Sequence, residues 1–508
     1  MLRKIRLTLA VLFGVLITLL FLDITGTLHL YLGWMVKIQL LPAILAVNLV
    51  VVIGLVVLTL LLGRVYCSVI CPLGVMQDFI AWISRLGKRK SKKFKYKFRK
   101  EMRITRFVFL VLFIVAILAG FGSLMSLLEP YSNYGRIVTN LLTPVYGWGN
   151  NLLATIAERF DSYAFYSVKV WIPSISTFLI AIFMLLIIGY MSWDNGRIYC
   201  NSVCPVGTLL GYLSKLSLMR IRIDESKCTR CKLCSRSCKA SCIDSENHKV
   251  DYSRCVVCFN CIGKCREGAI SYASCLHKDK DKAVASEPDS DPAPDNDPAP
   301  DSRRAFLIAG VLAAGGAVLH AQDKRRDGGL AVIEDKIAPK RNAPIHPPGA
   351  ESMAHFAAHC TSCQLCVTAC RNHVLIPSSE METLMQPAMS YAYGYCRPEC
   401  TACSEVCPSG AIRKISLAEK SSIQIGHAVW IRKNCLPLSD QVECGNCARH
   451  CPTAAIEMIP SDAANPRSIK IPAVNTERCI GCGACENLCP ARPFSAIYVE
   501  GHEVHRLI

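Results

Sequence analysis

Long apolar runs interrupted by polar segments dominate the first 215 residues. The runs lie at about 7–25, 39–62, 106–128 and 173–191. Each is close to the ~20 residues that a helix needs to cross the hydrocarbon core of a bilayer. The pattern therefore predicts an α-helical membrane domain with four spans.

A strongly basic segment orients these spans. Residues 85–106 carry 12 Lys or Arg side chains and a single acidic one, Glu101, in a chain whose net charge is +18. Such segments stay on the cytoplasmic side of a membrane, where they meet anionic lipids. We therefore expect a bacterial inner-membrane protein with a cytoplasmic N-terminus, membrane lipid as a partner and no nucleic-acid partner.

Two of the apolar runs are followed by copies of one motif. It reads GRVYCSVICPLG at 63–74 and GRIYCNSVCPVG at 196–207. The repeat indicates that 1–87 and 106–215 are two copies of a two-span unit, which places the motif cysteines together at the cytoplasmic membrane face. These cysteines are Cys67, Cys71, Cys200 and Cys204. A bound metal or metal cluster, a dithiol cycle and simple packing all remain open for them.

Composition divides the rest of the chain. The acidic, Pro-rich stretch in its middle is too polar to bury a core. The predicted units are the membrane domain at 1–215, a ferredoxin domain at 216–276, the acidic linker at 277–301, a twin-arginine-type segment at 302–321, a second linker at 322–350 and a four-cluster domain at 351–508.

The segment after the acidic linker resembles an export signal. Arg303 and Arg304 precede only 15 apolar residues, 305–319, which is ~22 Å of helix and short for a fifth span. A domain that receives its metal centres in the cytoplasm has to be exported in the folded state. We therefore predict a periplasmic location for 351–508 and a cytoplasmic one for 216–276.

Most of the 30 cysteines fall into runs of the form C-x2-C-x2-C-x3-C. In the bacterial ferredoxin pattern, three cysteines of a run bind one 4Fe–4S cluster and the fourth binds the cluster of the other run. The expected sets in the first soluble domain are Cys228, Cys231, Cys234 and Cys265, and Cys255, Cys258, Cys261 and Cys238. The usual following proline is absent at Lys239 and Arg266, Cys242 is a possible substitute ligand, and structural zinc is the alternative.

The C-terminal domain contains four further groups. They are Cys360, Cys363, Cys366 and Cys370; Cys396, Cys400, Cys403 and Cys407; Cys435, Cys444, Cys447 and Cys451; and Cys479, Cys482, Cys485 and Cys489. We expect the first group to exchange ligands with the fourth and the second with the third, for a total of about six 4Fe–4S clusters. Cys275 is a spare thiol, and the absence of C-x-x-C-H excludes covalent c-type haem.

Residues 1–275, with two C-x3-C-P repeats and a double ferredoxin motif, resemble the NapH family of membrane quinol dehydrogenase components. Residues 302–508 resemble the NapG/MauM family of ferredoxin-type proteins, so the chain resembles a fusion of the two. Its expected fold is multi-domain, an α-helical membrane domain of four spans plus the fifth twin-arginine-type segment, with two α+β ferredoxin-like 4Fe–4S domains. The resemblance implies that the quinone pool is a partner and that electrons pass from menaquinol or ubiquinol to a periplasmic reductase such as nitrate reductase.

Three side chains lie where the third apolar run ends, on the expected outer side. Glu129 could accept a quinol proton there, with Tyr131 and Arg136 beside it, although an ordinary interface loop explains the same residues. The sequence offers no redox group in mid-span. The inner and outer clusters are therefore expected either to serve different branches or to be connected by a mobile quinone.

Two other functions are compatible with these motifs. The C-x3-C-P cysteines also resemble those of metal- or thiol-reducing assembly factors for metalloenzymes. Alternatively, the clusters could sense redox state in a regulatory protein.

Overall fold

The computed structural model describes residues 1–23, 25–86, 96–162, 165–275, 326–327, 331–332 and 336–508. The predicted acidic linker, the twin-arginine-type segment and part of the basic loop lie outside the described residues. The described residues form a helical part (1–215), an N-terminal ferredoxin unit (216–275) and a C-terminal part (336–508).

Helices make up most of the helical part. They are Leu2–Leu22, Thr27–Leu32, Trp34–Lys37, Leu40–Leu45, Leu49–Leu62, Val65–Val69, Pro72–Ile83, Arg103–Leu118, Gly122–Leu128, Pro130–Ile137, the π-helix Val138–Leu142, Thr143–Glu158, Ile175–Asn195, Ile198–Ser202 and Pro205–Ser214. Among the described residues, two helices are long and apolar enough to cross a membrane, Leu2–Leu22 and Ile175–Asn195. The first lies beside the N-terminus, where signal sequences have the same character.

The other two predicted spans are interrupted. The second breaks at Val47, whose φ of 52° is left-handed, and a new helix starts where the Asn48 side chain accepts from Val51 N at 3.3 Å. The third breaks at Gly120, with φ 73°. A left-handed residue cannot continue a right-handed helix, so each of these apolar runs gives two shorter helices.

The two long helices connect the cysteine-rich parts. At the start of Leu2–Leu22, Arg6 pairs with Asp78, which also binds Lys239 of the N-terminal ferredoxin unit. Beyond its end, Thr25 O accepts from Arg371 of the C-terminal part. A helix of 21 residues is about 30 Å long. The two ferredoxin-bearing parts therefore lie at opposite ends of the helical part.

The Ile175–Asn195 helix repeats this arrangement in the opposite direction. The Trp171 ring, just before it, lies 5.2 Å from the rings of both His373 and Tyr393 in the C-terminal part. Just after it, Arg197 N donates to Lys239 O of the N-terminal ferredoxin unit at 3.0 Å. Both long helices thus span the same distance between the same two parts.

Each C-x3-C-P motif folds into a helical hairpin. Hairpin 1 (63–83) contains Val65–Val69 and Pro72–Ile83, and hairpin 2 (196–214) contains Ile198–Ser202 and Pro205–Ser214. Each hairpin begins at a glycine with left-handed backbone (φ 73° and 66°), which ends the preceding helix. The motif proline occupies the first turn of the second helix, where its missing N–H is not needed.

Both hairpins begin and end beside the N-terminal ferredoxin unit. The contacts are Arg64 Nη1 to Ser253 O (2.9 Å), Arg197 N to Lys239 O (3.0 Å), Asp78 Oδ1 to Lys239 Nζ (3.2 Å) and Ser214 Oγ to Tyr252 O (3.0 Å). Asn201, next to Cys200, also donates to Ala240 O of that unit at 3.3 Å. The cysteine-bearing segment of hairpin 2 therefore lies close to the N-terminal ferredoxin unit.

The turn of hairpin 2 lies deeper in the helical part than the start of the Arg103–Leu118 helix. Val203, at this turn, packs in a cluster that contains Phe113. Seven residues earlier in the same helix, Arg106 Nη1 donates to Ser253 Oγ at 3.0 Å, so the turn lies ~10 Å further along that helix. The four motif cysteines lie close to one another, and their position at the cytoplasmic membrane face stays a prediction.

The outer surface of the helical part is apolar. Leu7, Val11 and Val15 on the first long helix are about half exposed, as are Leu179 and Phe183 on the other. Their spacing of about four residues forms a stripe along each helix. A surface of this kind requires an apolar cover.

The ferredoxin-bearing parts combine cysteine loops with short antiparallel strand pairs. The pairs are Met219–Ile223 with Ile270–Ser274, Ile243–Asp244 with Lys249–Val250, Leu375–Pro377 with Pro387–Met389, Ile456–Pro460 with Lys470–Val474, and Ile423–Trp430 with Ile497–Leu507. A further pair, Arg326–Asp327 with Ala331–Val332, lies outside these parts. Their helices are Leu233–Ser237, Ile262–Lys264, Met353–His359, Leu365–Ala369, Ala402–Val406, Leu417–Ser422, Arg432–Asn434, Leu436–Ser439, Asn446–Arg449 and Ala484–Asn487. The predicted α+β ferredoxin-like character of both parts is confirmed.

Candidate metal centres

The N-terminal ferredoxin unit contains two four-cysteine sets. Cys228, Cys231, Cys234 and Cys265 line one cavity. In the other set, Cys261 lies within electrostatic reach of Cys238, Cys255 and Cys258. Cys242 lies beside this second set, with its Sγ 3.5 Å from that of Cys238. The arrangement brings together the cysteines that the motif groups, with Cys242 as an additional neighbour.

The C-terminal part pairs its groups differently from our prediction. Cys407 lines a cavity with three cysteines of the first group, and the third and fourth groups exchange Cys451 and Cys489 in the same way. The sets are Cys360, Cys363, Cys366 and Cys407; Cys396, Cys400, Cys403 and Cys370; Cys435, Cys444, Cys447 and Cys489; and Cys479, Cys482, Cys485 and Cys451. The pairing of first with fourth and second with third is wrong, because groups that are consecutive in the chain pack on each other through helices such as Leu365–Ala369 and Ala402–Val406.

Burial disfavours the thiolate form of several cysteines in these sets. It raises the pKa of Cys363 and of Cys482 to about 12, and that of Cys447 to about 11. Iron binds the thiolate form, and a bound metal supplies the positive charge that the surroundings lack. Buried four-cysteine sets of this kind fit 4Fe–4S clusters.

Zinc and a 4Fe–4S cluster require different ligand spacings. In the part of the chain that the structure describes, no three Cys, His, Asp or Glu side chains converge closely enough to hold one metal ion. The ligands of a 4Fe–4S cluster bind four different iron atoms and therefore stand further apart than the ligands of one zinc ion.

The four cysteines of the hairpins form a further group, which we call the hairpin site. Cys67, Cys71, Cys200 and Cys204 are each 3–4% exposed. Every pair among the four is close enough for electrostatic interaction, as in the ferredoxin set around Cys366. Each repeat contributes two of the four cysteines.

Two fully buried arginines cross between the hairpins. Arg64 of hairpin 1 donates to Cys200 O at 3.2 Å and to Asn201 Oδ1 at 2.8 Å, and its Nη2 lies 3.7 Å from Cys67 Sγ. Arg197 of hairpin 2 donates in turn to Cys67 O. The exchange is reciprocal, so the two repeats are related by an approximate twofold arrangement.

Glycines make room for these arginines. A Cβ on Gly74 would lie 2.5 Å from Arg197 Nη1, and a Cβ on Gly207 would lie 2.9 Å from Arg64 Nη2. The glycine three positions after the second cysteine of each motif therefore allows the crossing.

The two arginines differ in their charge partners. Arg197 Nε pairs with Asp78 Oδ1 at 2.8 Å. Gly211 stands in hairpin 2 where Asp78 stands in hairpin 1, at the same distance from the motif cysteines. Arg64 has no acidic partner among the described residues, and its hydrogen bonds go to neutral oxygen atoms and to the Cys67 sulfur.

The N-terminal ferredoxin unit packs directly against the hairpin site. Arg64 Nη1 donates to Ser253 O, two residues before Cys255, while its Nη2 faces Cys67. Lys239, beside Cys238, accepts from Arg197 N. The set that contains Cys238 and Cys255 is therefore adjacent to the hairpin site.

Glu129, Tyr131 and Arg136 lie on the other side of the hairpin site and are at most 1% exposed. Tyr66 and Tyr199, which precede the first cysteine of each motif, are both within electrostatic reach of Glu129. The predicted interface loop is therefore a buried polar group inside the protein.

Several polar atoms in this group lack hydrogen-bond partners. They include Tyr131 OH and Arg136 Nη1. Glu129 accepts from Ser132 N and forms no ion pair among the described side chains. Buried polar atoms without partners are rare, and they call for a functional explanation or an absent ligand.

The C-terminal part covers this polar group. Cys363 O lies 2.5 Å from the position of a Cβ on Gly135, and Gln364 Oε1 accepts from Asn140 at 2.7 Å. Tyr131 is within electrostatic reach of Cys363 and of Cys407. Glu129 and its neighbours thus separate the hairpin site from the first set of the C-terminal part.

Within the C-terminal part, the loops of the second and fourth cysteine groups also contact each other. Cys396 N donates to Cys482 O at 2.9 Å, and Tyr391 OH donates to Gly481 O at 2.5 Å. The four-cysteine sets consequently form a row from the N-terminal ferredoxin unit, past the hairpin site and the polar group around Glu129, to the end of the C-terminal part.

Sequence reasoning missed the residues that surround the hairpin cysteines. Arg64, Arg197, Gly74 and Gly207 recur at fixed distances from the cysteines in both copies, and this recurrence was the available signal. Asp78 had no such signal, because it is present in one copy only.

Two family models match the chain. One, described as a 4Fe-4S binding domain, matches residues 44–93 and 176–224, which contain the two hairpins. The other, described as a 4Fe-4S dicluster domain, matches residues 442–492 in the last C-terminal unit. No solved structure matches the chain.

Three curated relatives each match about a third of the chain. The ferredoxin-type protein NapF of Escherichia coli (strain K12) is 31% identical over 159 residues, which are 31% of this chain and 87% of that protein. The methylamine utilization ferredoxin-type protein MauM of Methylophilus methylotrophus is 31% identical, over 32% of this chain and 72% of that protein. The ferredoxin-type protein NapG of Escherichia coli (strain K12) is 28% identical, over 32% of this chain and 77% of that protein.

Proposed function

Because this chain belongs to the family of the ferredoxin-type proteins NapF and MauM, we propose that it is a membrane-anchored iron–sulfur protein that carries electrons from a quinol to an oxidoreductase. The observation that carries the proposal is the row of four-cysteine sets that begins in the N-terminal ferredoxin unit, passes through a helical part with an apolar surface and ends in the C-terminal part. The acceptor is a nitrate reductase or a related enzyme in the periplasm.

Two features support an inner-membrane location. The apolar stripes on the long helices provide the surface that lipid covers. The helices are about 30 Å long, which is the thickness of the hydrocarbon core. In this arrangement the N-terminal ferredoxin unit is cytoplasmic, the C-terminal part is periplasmic, and the interrupted helices complete four membrane passes.

Quinol oxidation has a candidate site at Glu129. One quinol yields a quinone, two electrons and two protons. Glu129 accepts the protons one after the other and releases them to the outer solvent, while the unpaired donors Tyr131 OH and Arg136 Nη1 bind the quinol oxygen atoms. When bound, 4Fe–4S clusters supply one-electron steps. The acceptor enzyme takes up the two electrons to reduce its own substrate.

The proposal is tested with the full chain in lipid nanodiscs under anaerobic conditions. Menadiol is added to the oxidised protein, and the loss of visible cluster absorbance is followed. We expect rapid reduction of the wild type and a reduction slowed about 100-fold or more in Glu129→Gln, because a positioned proton acceptor contributes on that scale. Glu158→Gln, on an exposed helix surface, is the control.

Dithionite separates the possible failures. It should reduce all three proteins equally, which shows that their clusters are present. A wild type that dithionite reduces but menadiol does not would overturn the proposed function. If Glu129→Gln reacts with menadiol as fast as the wild type, the quinol site lies elsewhere.

A further inference from the structure

The hairpin site contains four buried cysteines that do not belong to any ferredoxin motif. We propose that Cys67, Cys71, Cys200 and Cys204 hold one additional 4Fe–4S cluster, shared between the two hairpins, through which single electrons cross the helical part. The assignment of a cluster to this site does not depend on the proposed function, whereas its role as an electron relay rests on that function.

The charge balance around Arg64 favours a bound anionic group. Arg64 is fully buried and has no acidic partner among the described residues. An isolated buried charge is strongly unfavourable, so buried charges are paired or bind metal groups. A 4Fe–4S cluster with four thiolate ligands carries a net negative charge. Arg64, whose Nη2 faces Cys67 Sγ at 3.7 Å, is placed to neutralise part of it.

The alternatives fit the same residues less well. A dithiol that reduces a metal ion or a partner protein requires access to its sulfur atoms, but these four cysteines are at most 4% exposed. A single ion would require closer convergence than the described residues show anywhere. Simple packing would leave Arg64 buried without a counter-charge.

The family matches support sharing between the hairpins. Each of the two stretches that match a 4Fe-4S binding domain contains only two cysteines. A 4Fe–4S cluster has four irons and takes four cysteine ligands. Neither stretch can therefore supply a full ligand set, and the hairpins bring the two halves of one set together.

The position of the hairpin site explains how electrons pass through the helical part. It lies between the set that contains Cys238 and the polar group around Glu129. Each transfer brings one electron to the site and removes one, and no bond to substrate forms or breaks. A redox group at this place fills the gap that the sequence left in mid-span.

Iron analysis of the full chain tests the site. Iron and acid-labile sulfide are measured per protein after anaerobic purification. We expect about 28 irons in the wild type, four for each of seven clusters. Cys67→Ser and Cys200→Ser should each remove about four irons, and the double variant should also remove about four, because all its ligands belong to one cluster. Cys275→Ser should remove none.

Other results would overturn the proposal. These are a wild type with about 24 irons, single variants that keep all their iron, zinc bound in place of iron, or a double variant that loses twice as much as either single variant. Low-temperature EPR signals of the remaining clusters and an unchanged gel-filtration volume identify variants that fold. ⁵⁷Fe Mössbauer counting on the wild type decides the question even if no variant folds.

The outcome for the site is independent of the proposed function. Six clusters together with reduction by menadiol would reject the hairpin cluster and leave the proposed function standing. Seven clusters without reduction by menadiol would support the hairpin cluster and overturn the proposed function.

Discussion

At the scale of single residues, the charges around the hairpin site are unequal although the motif is repeated. Arg197 has Asp78 as its partner, whereas Gly211 occupies the equivalent position near Arg64. The uncompensated charge therefore belongs to one side of an otherwise symmetric site. This asymmetry makes Arg64 the residue that most directly tunes a redox group there.

We predict that Arg64→Met lowers the reduction potential of the hairpin cluster. Removal of a positive charge destabilises the reduced, more negative state. A shift on the order of 100 mV is expected, since a unit charge several ångströms away is worth about 2 kcal/mol at an effective dielectric constant of about 20. An EPR-monitored redox titration measures it. Arg103→Met, at a side chain that is 83% exposed, should change nothing, and an unchanged potential in Arg64→Met would contradict the assignment.

The exchange of cysteines in the C-terminal part gives a second prediction at this scale. Cys407 and Cys363 belong to one set, whereas Cys403 belongs to another. Cys363→Ser combined with Cys407→Ser should remove about four irons, and Cys403→Ser combined with Cys407→Ser about eight. Iron analysis distinguishes them. Equal losses in the two double variants would contradict the sets.

At the scale of elements, the hairpins are held together by close backbone contacts. A Cβ on Gly207 would lie 2.2 Å from Cys200 O, and one on Gly74 2.4 Å from Cys67 O. Each glycine thus lets the second helix of a hairpin pack on the main chain of the first. The same contacts fix where the motif cysteines point.

Gly207→Ala should therefore disturb the hairpin site. The added methyl group meets main-chain atoms, which cannot move aside as a flexible side chain can. We expect a destabilisation of about 1–3 kcal/mol and loss of the hairpin iron, measured by thermal unfolding and iron analysis. Gly149→Ala is the matched control, because a Cβ there has no neighbour within 4 Å. Equal stability of the two variants would argue against close packing in the hairpin.

The sequence predicted the features that depend on residues close together in the chain. The x2 and x3 spacings identified the three cysteines within each run, because these residues are held by a single loop. The partner of the fourth cysteine depends on which loops pack together, and Cys407 was assigned wrongly for that reason. Likewise, the apolar composition marked the helices but not the breaks at Val47 and Gly120, which depend on individual backbone angles.

At the scale of the whole molecule, the helical part separates two ferredoxin-bearing parts by about the thickness of a bilayer core. Both long helices connect the same two parts, in opposite directions. The polar group at Glu129 lies near one end of this distance and the Cys238 set at the other. In the membrane location that we propose, the helices therefore place the two parts on opposite sides of the bilayer.

This arrangement predicts opposite accessibility for the two ends. Proteinase K added to intact spheroplasts should degrade residues 336–508 and spare 216–275, because the proposed topology places only the former outside. Immunoblots against the two segments measure this. In permeabilised cells both segments should be degraded, and protection of 336–508 in spheroplasts would contradict the topology.

The reciprocal crossing of Arg64 and Arg197 also bears on the evolutionary origin of the two repeats. In an isologous dimer, the contact made by one subunit is returned by the other, and the two hairpins make this kind of contact within one chain. A shorter ancestor with a single motif would have completed the four-cysteine group by self-association. A duplication that joined two such copies in one chain would leave one copy free to carry Asp78 and the other Gly211.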